Sequence, residues 1–176
     1  MFTKYINKYM LFLFRMMSAC LIVIILNSSA QAATVFSDNF DGSHPGSWSI
    51  GHDGGGGTYA WAWPNDYAHE YSGTSVGQYY YPNNLHVYME RRNVSLSGYD
   101  SAELSFYYIV DSQYHFDCQY DYFTVNVRDQ SGSWHEMFRD CGAHSLTWVH
   151  KHIDLSEFAG QTGLYIQFRF DSNSSV

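Results

Sequence analysis

The chain has 176 residues, with 17 acidic against 9 basic side chains, a net charge of −8 and an aromatic share of 19%. So acidic a balance repels phosphate backbones and anionic lipid surfaces, which argues against nucleic acid and anionic membrane as partners. No repeat, heptad or long amphipathic helix is spelled, so the length fits one domain behind a leader.

The leader is residues 1–32. Lys4, Lys8 and Arg15 make its start basic, with no acidic residue among them. Met16 to Leu26 is an apolar run too short to span a bilayer. Polar Asn27-Ser28-Ser29 then leads to Ala30-Gln31-Ala32, a small-x-small cleavage site. This is the pattern of a secretory signal peptide cut after Ala32. It predicts a secreted, extracellular domain over residues 33–176, free of the membrane once cleaved. Removal of the three basic residues takes the charge from −8 to −11.

Val35 to Phe40 reads as an opening strand that ends at Asp41-Gly42. Four glycines, Gly54 to Gly57, make a flexible loop. Tyr59 to Trp63 is a short aromatic strand. Gly77 to Tyr81 and Leu85 to Met89 read as strands on either side of Pro82-Asn83-Asn84. Leu104, Phe106, Tyr108 and Val110 share an apolar face. Phe123, Val125 and Val127 alternate with Thr124, Asn126 and Arg128. Asp129-Gln130-Ser131-Gly132 supplies turn chemistry, and Trp134, Glu136 and Phe138 begin the return strand. Leu155 to Gly160 is a single helical turn closed by a left-handed glycine. Leu164, Ile166, Phe168 and Phe170 lie opposite Tyr165, Gln167 and Arg169 on a last strand. Short strands at this spacing predict an all-β, antiparallel β-sandwich with a thin core of large rings.

Two cysteines follow the leader. Cys118 precedes the Asp129–Gly132 turn and Cys141 follows it, nearly symmetrically, with an offset that a bulge absorbs. A hairpin places them on adjacent strand ends, and an oxidising compartment predicts a Cys118–Cys141 disulfide.

Three segments carry a family likeness. Ser95-Leu96-Ser97-Gly98-Tyr99 runs on to Ala102-Glu103-Leu104-Ser105-Phe106. Asp121 to Val127 is followed by Trp134. Trp148 leads into Ile153-Asp154-Leu155-Ser156-Glu157-Phe158-Ala159-Gly160-Gln161 and then Ile166 to Asp171. Together with Phe36 to Asp41 they resemble MAM-like jelly-roll accessory modules, also found behind the catalytic domain of immune inhibitor A-type secreted metallopeptidases. The resemblance implies a jelly roll, a non-catalytic role in folding, adhesion or ligand binding, and in some members a structural calcium. Such modules close with a further strand after the segment that Ile166 to Asp171 matches. Here only Ser172 to Val176 follows, so the jelly roll is expected to lack its closing C-terminal strand. Val35 to Phe40 would then be left as a bare edge open to self-association or to a partner strand.

Four groups of residues bear on chemistry. Tyr59, Trp61 and Trp63 share one strand face, either as core or as a platform for sugar rings. In a jelly roll the first and last strands lie side by side, so Asp38, Asp41 and Asp171 are the expected calcium ligands, unless they are plain turn aspartates. His150 and His152 share a face with Trp148 and Asp154, a spacing workable for zinc; no His-Glu-x-x-His accompanies them, and His69-Glu70 lacks its second histidine. A polar outer face is the plainer reading. No Gly-x-Ser-x-Gly elbow occurs. Asn93-Val94-Ser95 and Asn173-Ser174-Ser175 match the glycosylation triplet of a eukaryotic secretory pathway.

The reading that emerges is a secreted, non-catalytic accessory or adhesion module with carbohydrate or an extracellular protein as ligand. The alternatives are an accessory fragment of a secreted metallopeptidase, a small histidine-dependent hydrolase, and a purely structural module.

Overall fold

The computed structural model describes residues 32–40, 46–53, 61, 83–110, 118–142 and 147–173. The leader, Ala32 apart, lies outside them. Chain contacts separate a unit ending at Thr34 from a compact unit, Val35–Val176. The second unit is all-β and antiparallel. Its strands are β1 (Trp48–His52), β2 (His86–Val94), β3 (Glu103–Tyr108), β4 (Tyr122–Arg128), β5 (Trp134–Asp140), β6 (Val149–Asp154) and β7 (Leu164–Asp171), with a 3-10 turn at Ser156–Phe158. Among the described residues β1-β2-β7-β4-β5 form one sheet and β3-β6 the other.

Period-2 alternation sorts each central strand into two faces. Val87 is buried, and Met89, Val125 and Val127, and Ile166 and Phe168 lie in one core cluster with Leu104, Tyr108 and Ile153 of the second sheet. Phe168 is the hub. Its ring centroid lies 5.7 Å from Trp48, 5.1 Å from Phe106 and 6.1 Å from Phe123, so one side chain touches both layers. The 3-10 turn adds Phe158, 2% exposed. It is held by Asp154, whose Oδ1 accepts from Ser156 N at 2.8 Å, and it ends at Gly160 with φ 78°.

Two bulges tune the faces. Arg91 opposes Ile166 and Val94 opposes Leu164, so β2 carries one extra residue there, with Asn93 at φ 59°. The extra residue returns Val94 to the core. On β5, Val125 opposes Phe138 and Asn126 opposes Glu136, which leaves Met137 as the extra residue. This bulge widens the cysteine offset: Asp140 opposes Phe123, so Cys141 comes level with Tyr122, four residues after Cys118. The offset is taken up ahead of β4, where the chain leaves the strand and Cys118 sits at φ 53° instead of on a strand end. Cys118 and Cys141 stand at disulfide distance, with Cα atoms 4.8 Å apart.

Between β4 and β5, Asp129 is the turn's anchor. Its Oδ1 accepts from Ser131 N at 2.8 Å, Ser131 Oγ at 2.6 Å and Ser133 N at 2.9 Å. Gly132, at φ 94°, completes the turn.

The opening strand is a correction. Val35 to Phe40 is not a strand: Asp38 Oδ1 accepts from Phe40 N at 2.8 Å, and Phe40 sits at φ 60°. That local turn breaks extension. Phe36 and Phe40 instead pack on Trp48, at centroid distances of 6.4 and 5.9 Å. The sheet begins with Trp48–His52, so the bare edge expected at Val35 to Phe40 has no strand to form it. At the other end, β7 pairing continues beyond Asp171. Ser172 N donates to Leu85 O at 2.8 Å and Asn84 N to Asn173 O at 3.0 Å. The strands expected at Tyr59–Trp63 and Gly77–Tyr81 lie outside the described residues, Trp61 apart, and jelly-roll connectivity stays an expectation.

Candidate functional site: the outer face of the five-stranded sheet

The residues that alternate with the core face line an open groove of about 530 Å³ across β2, β7, β4 and β5, with Asp53 just past β1 at its edge. Its floor is a row set by register: Glu90 opposes Gln167, and Gln167 opposes Asn126. Gln167 Nε2 donates to Glu90 Oε2 at 3.2 Å, and Asn126 Nδ2 donates to Gln167 Oε1 at 3.4 Å and to Thr124 Oγ1 at 3.0 Å. Glu90 and Gln167 are only 4% and 7% exposed. A carboxylate so buried needs a cationic partner, and Arg92 Nε donates to Glu90 Oε1 at 2.6 Å. That bond raises the Arg92 pKa above its usual range.

Aromatic rings flank this floor on both sides. Trp134, 47% exposed, meets Tyr165 edge to face at 6.5 Å. Tyr165 is covered by Arg128 at 5.1 Å and by Arg92 at 5.5 Å. At the other end stand Tyr88, Arg169 and Asp53. Arg169 Nη1 donates to Asp53 at 2.6 Å, while its Nε and Nη2 hold both oxygens of Asp171 at 2.7 and 2.8 Å. The bond to Asp171, ahead of the opposing effect of burial, raises the Arg169 pKa. The arrangement offers flat apolar faces, fixed planar amides and charged forks along one trough, which suits a ligand with polar edges and weakly apolar faces.

The residues expected to form sites are distributed differently. Tyr59, Trp63 and Asp41 lie outside the described residues. Trp61 packs against the core, and its buried indole N–H has no partner among the described residues. Asp38 and Asp171 do not converge. Asp38 Oδ2 accepts from the Nε1 of Trp48, whose ring reaches into the core, at 2.9 Å. Asp171 is buried on the opposite, outer face with Arg169 and with His86, whose Nδ1 lies 2.6 Å from Asp171 Oδ1. Trp48 opposes Arg91 and Asp171 opposes His86, five residues apart along β2. At 3.3 Å per residue that is roughly 17 Å. Among the described residues no group of three or more His, Cys, Asp or Glu could hold a metal ion.

His150 and His152 do share the exposed outer face of β3-β6. His150 Nε2 lies 2.7 Å from Ser105 Oγ and its ring stacks on Tyr107 at 4.1 Å; His152 Nδ1 lies 2.8 Å from Glu103 Oε1. Asp154 is engaged with the 3-10 turn. Lys151, between the two histidines, opposes Phe106 and sets its ammonium 4.3 Å from the Phe138 ring centroid. An inward lysine is accommodated by that cation–π contact, and the β3-β6 register runs unbroken through it.

Tyr165, Gln167, Arg169, Asn126 and Arg128 were visible in the sequence only as the polar half of an alternation. Nothing in that pattern marks them as parts of one groove, because their neighbours lie on other strands. The burial of Glu90, Gln167 and Thr124 on a face expected to be solvated is the signal that singles it out.

No protein-family model matches the chain, and none of the curated proteins does either. The likeness to MAM-like modules therefore rests on its quoted segments alone.

Proposed function

We propose that the chain is an extracellular, non-catalytic binding module that takes carbohydrate along the outer face of its five-stranded sheet. The observation that carries this reading is an exposed Trp134 beside Tyr165, over a floor of hydrogen-bonded Glu90, Gln167 and Asn126. Pyranose rings present C–H faces that stack on aromatic rings, while their hydroxyls pair with amides and carboxylates. The signal-like leader supports secretion. A glycan array probed with the full chain and with Trp134→Ala tests the reading. Binding that disappears in Trp134→Ala, with an unchanged melting temperature, is expected. A wild type that binds no glycan overturns it.

The histidine-dependent hydrolase has one contact in its favour, Ser105 Oγ to His150 Nε2. Ester hydrolysis lost in Ser105→Ala would support that second reading, and its absence in the wild type would remove it.

A further inference from the structure

We infer that the groove selects an anionic sugar, a uronate, and that the guanidinium of Arg128 receives its carboxylate. This rests on the carbohydrate reading and names the ligand class within it. Three arginines of this face are engaged by carboxylates. Arg92 is bound to Glu90, Arg139 holds Glu136 through two bonds of 2.9 and 2.6 Å, and Arg169 holds Asp171 and Asp53. Arg128 differs. It has no carboxylate partner among the described residues, although the chain carries 17 acidic side chains against 9 basic ones.

Arg128 is nevertheless held in place. Its Nε donates to Gly132 O at 3.2 Å in the β4–β5 turn, and its guanidinium lies 5.1 Å from the Tyr165 ring centroid. A Cβ on Gly132 would stand 3.0 Å from Arg128 Nη2, so the glycine leaves room for the fork. An arginine fixed through Nε and its π face keeps its Nη groups for a ligand, and a planar fork matches a carboxylate in bidentate fashion. Arg128 directly opposes Trp134 and Tyr165 in the sheet register. A ring stacked on Trp134 would therefore carry its acid group towards Arg128. At the far end of the groove Arg169 is already held by two carboxylates, Asp53 and Asp171, and His86 also sits on Asp171, so that end disfavours a second anion and suits hydroxyls.

Isothermal titration of the full chain with three probes tests this: an oligogalacturonate, the same oligomer as its methyl ester, and a neutral glucan. Oligoglucuronate and mixed mannuronate–guluronate oligomers extend the acid arm, and a sulfated glucan separates carboxylate from sulfate. The expected result is at least one uronate bound about tenfold more tightly than its ester or the glucan, the equivalent of ~1.4 kcal/mol. Arg128→Gln should abolish that preference, so that the acid, its ester and the glucan bind alike. Arg128→Lys, which keeps the charge without the fork, should retain part of it. Melting curves establish that the variants fold, and Arg128→Lys serves if Arg128→Gln does not. Acid and ester bound equally, or a preference that survives in the Arg128 variants, would overturn the uronate inference and leave the carbohydrate reading standing. A preference for sulfate over every uronate would also overturn it. Failure of every glycan, neutral ones included, would remove the carbohydrate reading itself.

Discussion

The ring of Tyr88 lies across Gly51: a Cβ at position 51 would stand 2.3 Å from both the Cζ and the Oη of Tyr88. The two residues oppose each other in the β1-β2 register, and Tyr88 lines the groove. The missing side chain is thus what lets this ring lie flat over β1. Gly51→Ala is expected to displace the far end of a flexible side chain, not backbone, so the melt should change by less than about 1 kcal/mol. The displaced ring should nonetheless weaken glycan binding. Calorimetric titration beside a thermal melt checks this, and unchanged affinity would show that the position of Tyr88 does not matter to the groove.

The Cys118–Cys141 pair closes a separation of 23 residues. In the chain-entropy account a loop of this length contributes roughly 3 kcal/mol. Replacing both cysteines with serine should reduce the unfolding free energy in urea by about that amount. Alkylation without reductant, followed by intact-mass analysis, should find neither thiol modified in the native protein; two modified cysteines would contradict the bridge.

Asp129 provides a pH-dependent contribution. The Ser131 hydroxyl first, then His135 and the Ser133 amide, hold its carboxyl well below the usual carboxylate range. The folded state therefore favours the ionised form more than the unfolded state does, whose value lies near 3.9. This stabilisation is complete above about pH 4 and fades as the pH falls further, towards the depressed folded value. The carboxyl is only partly buried and sits in a surface turn, so the effect is a modest one. The melting-temperature gap between wild type and Asp129→Asn should be constant at pH 5–6 and narrow below about pH 4. A gap that widens with acid would contradict the assignment.

Trp61 and Trp134 should behave oppositely. Trp61 packs on the core, whereas Trp134 is 47% exposed. Trp61→Ala should destabilise by a few kcal/mol, towards the roughly 3–5 kcal/mol seen for large rings in cores. Trp134→Ala should be near neutral for stability and affect only binding. Chemical denaturation of both variants, beside glycan titration, separates the roles. A stable Trp61→Ala that has lost glycan binding would restore the aromatic stripe as the platform.

Local pattern alone specified much of this protein. The alternation in Phe123 to Arg128 and in Leu164 to Phe170 marks β4 and β7 because period 2 puts one residue set on one face. Asp129 to Gly132 and the Leu155–Gly160 turn are legible because their side-chain acceptors and glycines act on backbone a few residues away. The near-symmetric cysteines pointed to a bridge beside this hairpin, although the chain has to leave β4 at Cys118 to bring them together. Local pattern misled at Val35 to Phe40, where aromatic spacing spells a strand but Asp38 turns the backbone at Phe40. It was silent at Trp48–His52, whose pairing with β2 supplies most of the reason to be extended. The groove was decided by tertiary structure. β7 inserts between β2 and β4, which brings Glu90, Gln167 and Asn126 into one row from strands distant in sequence. The same nonlocal pairing set Asp38 and Asp171 on opposite faces of a sheet. A single strand's sequence states which of its side chains share a face; which strands become neighbours follows from burying Phe168, Val125 and Met89 together, a requirement that the whole chain meets at once.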